Sequence, residues 1–119
     1  MGGAAPHKPI LLLAVIELIG LGKIRDNRIE LSPELIATFL KYWSLLVVTK
    51  HQSNVALPFF HLKGDRFWFL ALSLSYEGIV EHLHPSLAAL RGAVRWAFLD
   101  GELFEILRGV EGRSHLSQV

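Results

Sequence analysis

Ala56-Leu57-Pro58-Phe59-Phe60-His61-Leu62-Lys63-Gly64-Asp65-Arg66-Phe67-Trp68-Phe69-Leu70-Ala71-Leu72 is the stretch on which the fold turns. Two apolar, aromatic-rich runs, Ala56 to Leu62 and Arg66 to Leu72, flank the polar triplet Lys63-Gly64-Asp65. Short β-like runs on either side of a glycine-containing turn predict a hairpin. As a strand, the first run turns Leu57, Phe59 and His61 to one face and Pro58, Phe60 and Leu62 to the other. Pro58 has no N–H to donate to a neighbouring strand, so this run belongs at a sheet edge or is locally broken. Phe60 and Leu62 then read as core, and the opposite face as a small apolar patch.

Before this stretch the pattern is helical. Ile10, Leu11, Val15, Ile16, Leu18 and Ile19 recur at helix spacing within Lys8 to Leu21, with Pro9 suited to a first turn and Gly20 and Gly22 to a stop. Lys23 to Asn27 is a polar turn, and Arg28-Ile29-Glu30-Leu31 alternates as a short strand or extended linker. Ser32-Pro33-Glu34 opens a second helix, with Ser32 as N-cap and Pro33 in first position. That helix reaches about Leu46 and buries Leu35, Ile36, Phe39, Trp43 and Leu46. Val47 to Val55 is a polar loop. After the hairpin come a possible strand at Gly78 to His84, a helix from Pro85 to about Leu90 and a strand from Ala93 to Leu99. Asp100 caps a helix to Leu107, and Glu111 to Gln118 forms a last one. The order predicts an α+β fold with helices packed on a small antiparallel sheet. Residues 1–6 read as a linker or expression scar, and 7–119 as a single domain.

The chain has 119 residues, 51% hydrophobic, which suits one folded core. It has no Cys, so disulfides, thiolate zinc sites and a Cys nucleophile are all excluded. No apolar run reaches the roughly 20 residues of a membrane helix, and no secretory signal is evident, which predicts a cytoplasmic protein. Net charge is +1, unevenly spread. Residues 1–70 hold eight Lys or Arg against five acids, and residues 71–119 hold four against six, so the charge is +3 in the first part and −2 in the second, which points to one anion-facing side.

Catalytic signatures are missing: there is no Gly-x-Ser-x-Gly elbow, no Gly-rich phosphate loop before a helix and no His-Asn-His nuclease motif. His82 and His84 would share one strand face, but two ligands without a third at diagnostic spacing do not make a metal site. No metal and no cofactor are expected. The loop Lys50-His51-Gln52-Ser53-Asn54 presents donors for phosphate oxygens or base edges, or is an ordinary solvated loop.

His7-Lys8-Pro9 running into Ile10-Leu11-Leu12-Leu13-Ala14, then Asn27-Arg28-Ile29, Tyr42-Trp43, Leu57-Pro58-Phe59-Phe60-His61-Leu62, Phe67-Trp68 and the stretch from Trp96 to Phe104 form an ordered set. This set resembles the sulfur-binding domain of phosphorothioation-dependent type IV restriction endonucleases, which typically precedes a His-Asn-His nuclease domain. The resemblance runs over nearly the whole chain from His7. It implies a recognition domain, not itself an enzyme, for double-stranded DNA in which sulfur replaces a non-bridging phosphate oxygen; with no apolar heptad or obvious interface in the sequence, a monomer is expected.

By the same resemblance Pro58, with Leu57 and His61 beside it, forms the sulfur pocket. Lys8 offsets the phosphorothioate charge and His7 packs or hydrogen-bonds alongside. Arg25, Arg28, Lys50 and Lys63 are then candidates for phosphate contacts, and His51, Gln52, Ser53 and Asn54 for base contacts. Phe59, on the strand face of Leu57 and His61, joins the DNA-facing set. Two departures stand out: Leu57 occupies a place that is often aromatic, and Lys8 one that is often Arg, a point charge in place of a planar fork. Sulfur keeps the charge but is larger, more polarizable and a poorer acceptor than oxygen, so a pocket that prefers it offers apolar surface. Burying one such atom contributes only on the order of 1–2 kcal/mol, which leaves most affinity to ordinary, salt-sensitive phosphate contacts. Two other readings remain open: DNA binding without sulfur preference, and a protein-interaction module using an edge strand near Pro58.

Overall fold

Helix α1 (His7–Gly20) is apolar on almost every side, and a helix of that composition belongs in the middle of a protein. The computed structural model describes residues 6–48, 51–73 and 85–109. In it α1 is the central element, packed against α2 (Pro33–Leu46), α3 (Ala56–His61) and α5 (Gly101–Arg108). Ile10, Leu11, Ala14, Val15, Leu18 and Ile19 are its buried residues in the core. Its end is a Schellman motif: Lys23 N–H donates to Leu18 O at 2.9 Å and Gly22 N–H to Ile19 O at 3.1 Å. The motif needs a left-handed residue, and Gly22 supplies it at φ 73° without Cβ strain.

Helix α2 starts as its sequence predicts, with Ser32 Oγ accepting from Leu35 N–H at 3.1 Å and Pro33 in the first turn. Leu35 and Phe39 are buried, and Ile36 and Trp43 pack on the core half-buried. Leu46, expected on the buried face, is exposed instead, because it sits in the last turn where the helix has run past the core. The two long helices are clamped by polar groups. Lys41 Nζ donates to both Glu17 carboxylate oxygens at 2.7 Å, and Tyr42 Oη donates to one of them at 2.6 Å. Those two bonds, Lys41 first, hold the Glu17 carboxyl below its ordinary range, while the Glu17 carboxylate pushes the Tyr42 phenol up.

The sheet is antiparallel, β1 (Trp68–Leu72) beside β2 (Val94–Leu99), with a bulge between Ala71 and Leu72. Helix α4 (Leu87–Ala93) runs directly into β2, starting two residues later and ending three later than its sequence pattern predicts. Asp100 caps α5, its carboxylate accepting from Leu103 N–H at 3.2 Å. Extended chain at 28–31 touches the other edge of β2 through one bridge, in which Ile29 and Ala97 exchange N–H···O bonds of 2.7 and 2.8 Å. The fold is α+β, with helices on one face of this small sheet. The sequence expectations at Gly78–His84 and Glu111–Gln118, and the histidines His82, His84 and His115, lie outside the described residues.

The expected hairpin is not present. Ala56 to His61 is helical, continued by a 3-10 turn at Leu62–Gly64, and β1 pairs with β2 instead. Ala56, Phe59 and Phe60 are buried together at helical spacing, and Pro58 falls in the first turn, where no intrahelical N–H is needed. Asn54 Oδ1 accepts from Ala56 N–H at 3.0 Å and so relieves one free donor at the helix start.

Asn27 extends the short ladder in an unusual way. It lies two residues before Ile29 and faces Leu99, two after Ala97. There its side chain replaces the backbone: Nδ2 donates to Leu99 O at 2.7 Å and Oδ1 accepts from Leu99 N–H at 2.8 Å. The chain has turned away just here, with Arg28 N–H bonded to Asp26 O at 2.6 Å. Asn27→Ala strands both groups of Leu99 and is expected to cost about 2 kcal/mol in urea unfolding. A loss below about 0.5 kcal/mol would show that water replaces the side chain without penalty.

Candidate nucleic-acid interface

The start of α1 and the outer face of α3 enclose an open hollow of about 520 Å³ lined by His7, Lys8, Leu57, Pro58 and His61. Helix geometry explains the grouping. Residues at i, i+1 and i+4 share a face, so Leu57, Pro58 and His61 stand together, whereas a strand would have sent Pro58 to the opposite side. Correcting strand to helix therefore gathers these residues. Phe59 and Phe60 point the other way. Phe59, 1% exposed, meets Trp68 edge-on at 5.5 Å and belongs to the core, which removes it from the DNA-facing set.

His7 is nearly buried, tilted against Trp43 at 4.7 Å and edge-on to His51 at 6.1 Å. Its Nε2 lies 2.9 Å from the carbonyl of Gln52, and since a carbonyl only accepts, Nε2 carries the proton. His7 is thereby a positioning group: it ties the 51–54 loop to the start of α1. Asn54 is also committed, its oxygen capping α3. The side chains of Gln52 and Ser53 are exposed beside it. Lys50 lies outside the described residues.

Lys8 Nζ donates to Asp65 Oδ2 at 2.7 Å in an exposed ion pair. Asp65 reads in sequence as a turn residue, and its pairing with Lys8 has no local signal because the two lie 57 positions apart. Lys8 also sits where a cation is least welcome, in the first turn of a helix whose N-terminus has no side-chain cap and no acidic residue. The floor is Pro58, whose ring is less than 2% exposed. The apolar surface that a ligand would meet is therefore chiefly Leu57, half-buried, with the exposed imidazole of His61 beside it.

The remaining basic candidates do not converge here. Lys63 is half-buried with Nζ 5.0 Å from the Phe60 ring. Arg25 Nε donates to Gly22 O at 3.1 Å, beyond the far end of α1, a helix about 20 Å long. Arg28 lies over Trp96, 4.6 Å from the ring, and lines a separate hollow with Leu18, Lys23 and Glu34. Among the described residues positive charge is thus spread over several faces and does not form the one anion-facing side that the charge asymmetry predicts. Among the described residues no group of three His, Asp or Glu is placed to hold a metal ion, and no helix is long and apolar enough to cross a membrane.

No protein-family model matches the chain, and no curated protein sequence matches it.

Proposed function

We propose that this domain reads double-stranded DNA and grips a backbone phosphorothioate in the hollow between α1 and α3. The supporting observation is that His7, Lys8, Leu57, Pro58 and His61, distant in sequence, line one cavity that sets a cation beside apolar surface. In this reading Lys8 exchanges Asp65 for the backbone anion. The swap is inexpensive because an exposed ion pair contributes only about 0–1 kcal/mol. The uncapped start of α1 adds its partial positive charge to the same place. Leu57 and the edge of Pro58 offer the sulfur a surface without competing donors, while Gln52 and Ser53 are placed to approach a flanking base or phosphate. In this reading the domain recognises the modified backbone and does not itself cut it.

The experiment is a gel shift with matched duplexes, one plain and one carrying a single phosphorothioate of defined stereochemistry. Tighter binding of the sulfur duplex is expected, reduced toward equality in Leu57→Ser, which replaces the exposed apolar wall with a hydroxyl. Loss of one sulfur contact is about 1–2 kcal/mol, or roughly 5- to 30-fold. Equal wild-type affinity for both duplexes would favour a second reading, DNA binding without sulfur preference. One specific feature favours that alternative: the Pro58 ring shows very little surface to a ligand.

A further inference from the structure

The sheet has two unlike faces. Trp68, Ile29, Ala97 and Leu99 are buried against the helices. The register pairs Phe69 with Phe98 and Ala71 with Trp96 on the opposite face. A sheet covered on one side ordinarily alternates apolar-in with polar-out. Here the outward positions are aromatic: Phe69 is 39% exposed and lies stacked on Phe98 at 5.3 Å and 28°, with Trp96 half-buried beside them.

Cations border these rings. Arg28, adjacent to the bridging Ile29, places its guanidinium 4.6 Å from the Trp96 ring, and Arg95 places its own at 4.8 Å. Both arginines are exposed, and among the described residues neither has a carboxylate in ion-pair contact, although Glu30 lines a hollow with each of them. Flat aromatic surface bordered by unneutralised guanidinium groups is what unpaired bases and their phosphates require. Bases stack on aromatic rings and on Arg planes alike, while the cations follow the backbone. The helix-covered core does not use this face, and it is distinct from the hollow of α1 and α3.

We propose that this sheet face is a binding platform for single-stranded nucleic acid, with Phe69 stacking a base and Arg28 and Arg95 contacting the flanking phosphates. The proposal stands whether or not the hollow takes a duplex.

The test is fluorescence anisotropy of a labelled twelve-nucleotide oligothymidylate at low salt, with duplex binding measured in parallel. Wild type is expected to bind the oligonucleotide. Phe69→Ala should weaken it by about tenfold or more, within the range known for base stacking on one ring, and leave duplex binding unchanged. Phe69→Leu keeps apolar bulk but lacks the ring face and should weaken binding similarly, whereas Phe69→Tyr should retain it. Absence of oligothymidylate binding by wild type, or binding by the Ala and Leu variants as tight as that of wild type, overturns the proposal. So does a wild-type dimer in sedimentation that Phe69→Ala dissociates while no oligonucleotide binds, since the face would then serve self-association. Failure of duplex binding alone bears on the hollow and not on the sheet.

Discussion

Trp68→Ala is expected to destabilise the domain by about 3–5 kcal/mol, the usual cost of removing a large aromatic from a packed core. Trp68 is fully buried, joins β1 to Leu99 of β2, and packs edge-on against Phe59 at 5.5 Å. Its indole N–H donates to the carbonyl of Phe59 at 2.9 Å, filling an acceptor that the short helix α3 leaves open at its end. The alanine variant therefore creates a cavity and orphans a buried carbonyl together. Against a typical total of about 5–15 kcal/mol, that is roughly a fifth of the stability or more, and a calorimetric Tm about 10–20 °C lower. Trp68→Phe separates the contributions. It fills most of the space but still strands the Phe59 carbonyl, so about 1–3 kcal/mol of the loss should persist. If the phenylalanine variant melts like wild type, the indole bond contributes nothing and the packing alone holds α3 on the sheet.

The same contact shows why the pattern of α3 reads as a strand in the sequence. Ala56 to Leu62 is a short, almost unbroken apolar run, and over that length periodicity does not separate a buried strand from a buried helix. Local signals favour the strand: Leu57 precedes a proline, which biases it away from helical conformation, and the aromatics have β propensity. What decides is tertiary. Phe59 and Phe60 reach the core together only from a helix, and the Trp68 indole, distant from the run, holds the end of that helix. By contrast α1 and α2 carry several turns of apolar spacing with punctuation at the ends, Gly22 for one and Ser32-Pro33 for the other, so local physics and packing agree.

The residues of the candidate site follow a similar division. Pattern alone gave Leu57 and His61 one face and Pro58 the other, and nothing in spacing connects them to His7 and Lys8; that link came from the resemblance. Asp65, which neutralises Lys8, was legible only as part of a turn. Phe69, Trp96 and Phe98 read as ordinary strand aromatics, because alternation assigns faces but not which face the helices will cover. The scattered arginines read as one basic side for a related reason: charge sums over sequence carry no direction. Arg28 and Arg25 are separated from the hollow by the length of α1, which a linear count does not register.

Lys8→Glu is expected to lower duplex affinity at least about 100-fold, close to 3 kcal/mol, while leaving the fold intact. Position 8 then carries a carboxylate close to that of Asp65, and a backbone anion entering the hollow meets like charge where it met a cation. Stability should change little for two reasons. The Lys8–Asp65 pair is exposed and contributes about 1 kcal/mol at most. An acid in the first turn of α1 also suits the helix dipole better than a lysine does. Thermal melts of the variant within a few degrees of wild type would thus assign the loss to electrostatics. The converse change, Asp65→Asn, frees Lys8 and should tighten binding several-fold, most visibly at low salt. The slope of log affinity against log salt should fall by about one when Lys8 is removed, as expected for one phosphate contact. Unchanged duplex affinity in Lys8→Glu would rule out the hollow as the anion site, and unchanged affinity in Asp65→Asn would show that the carboxylate moves aside without competing.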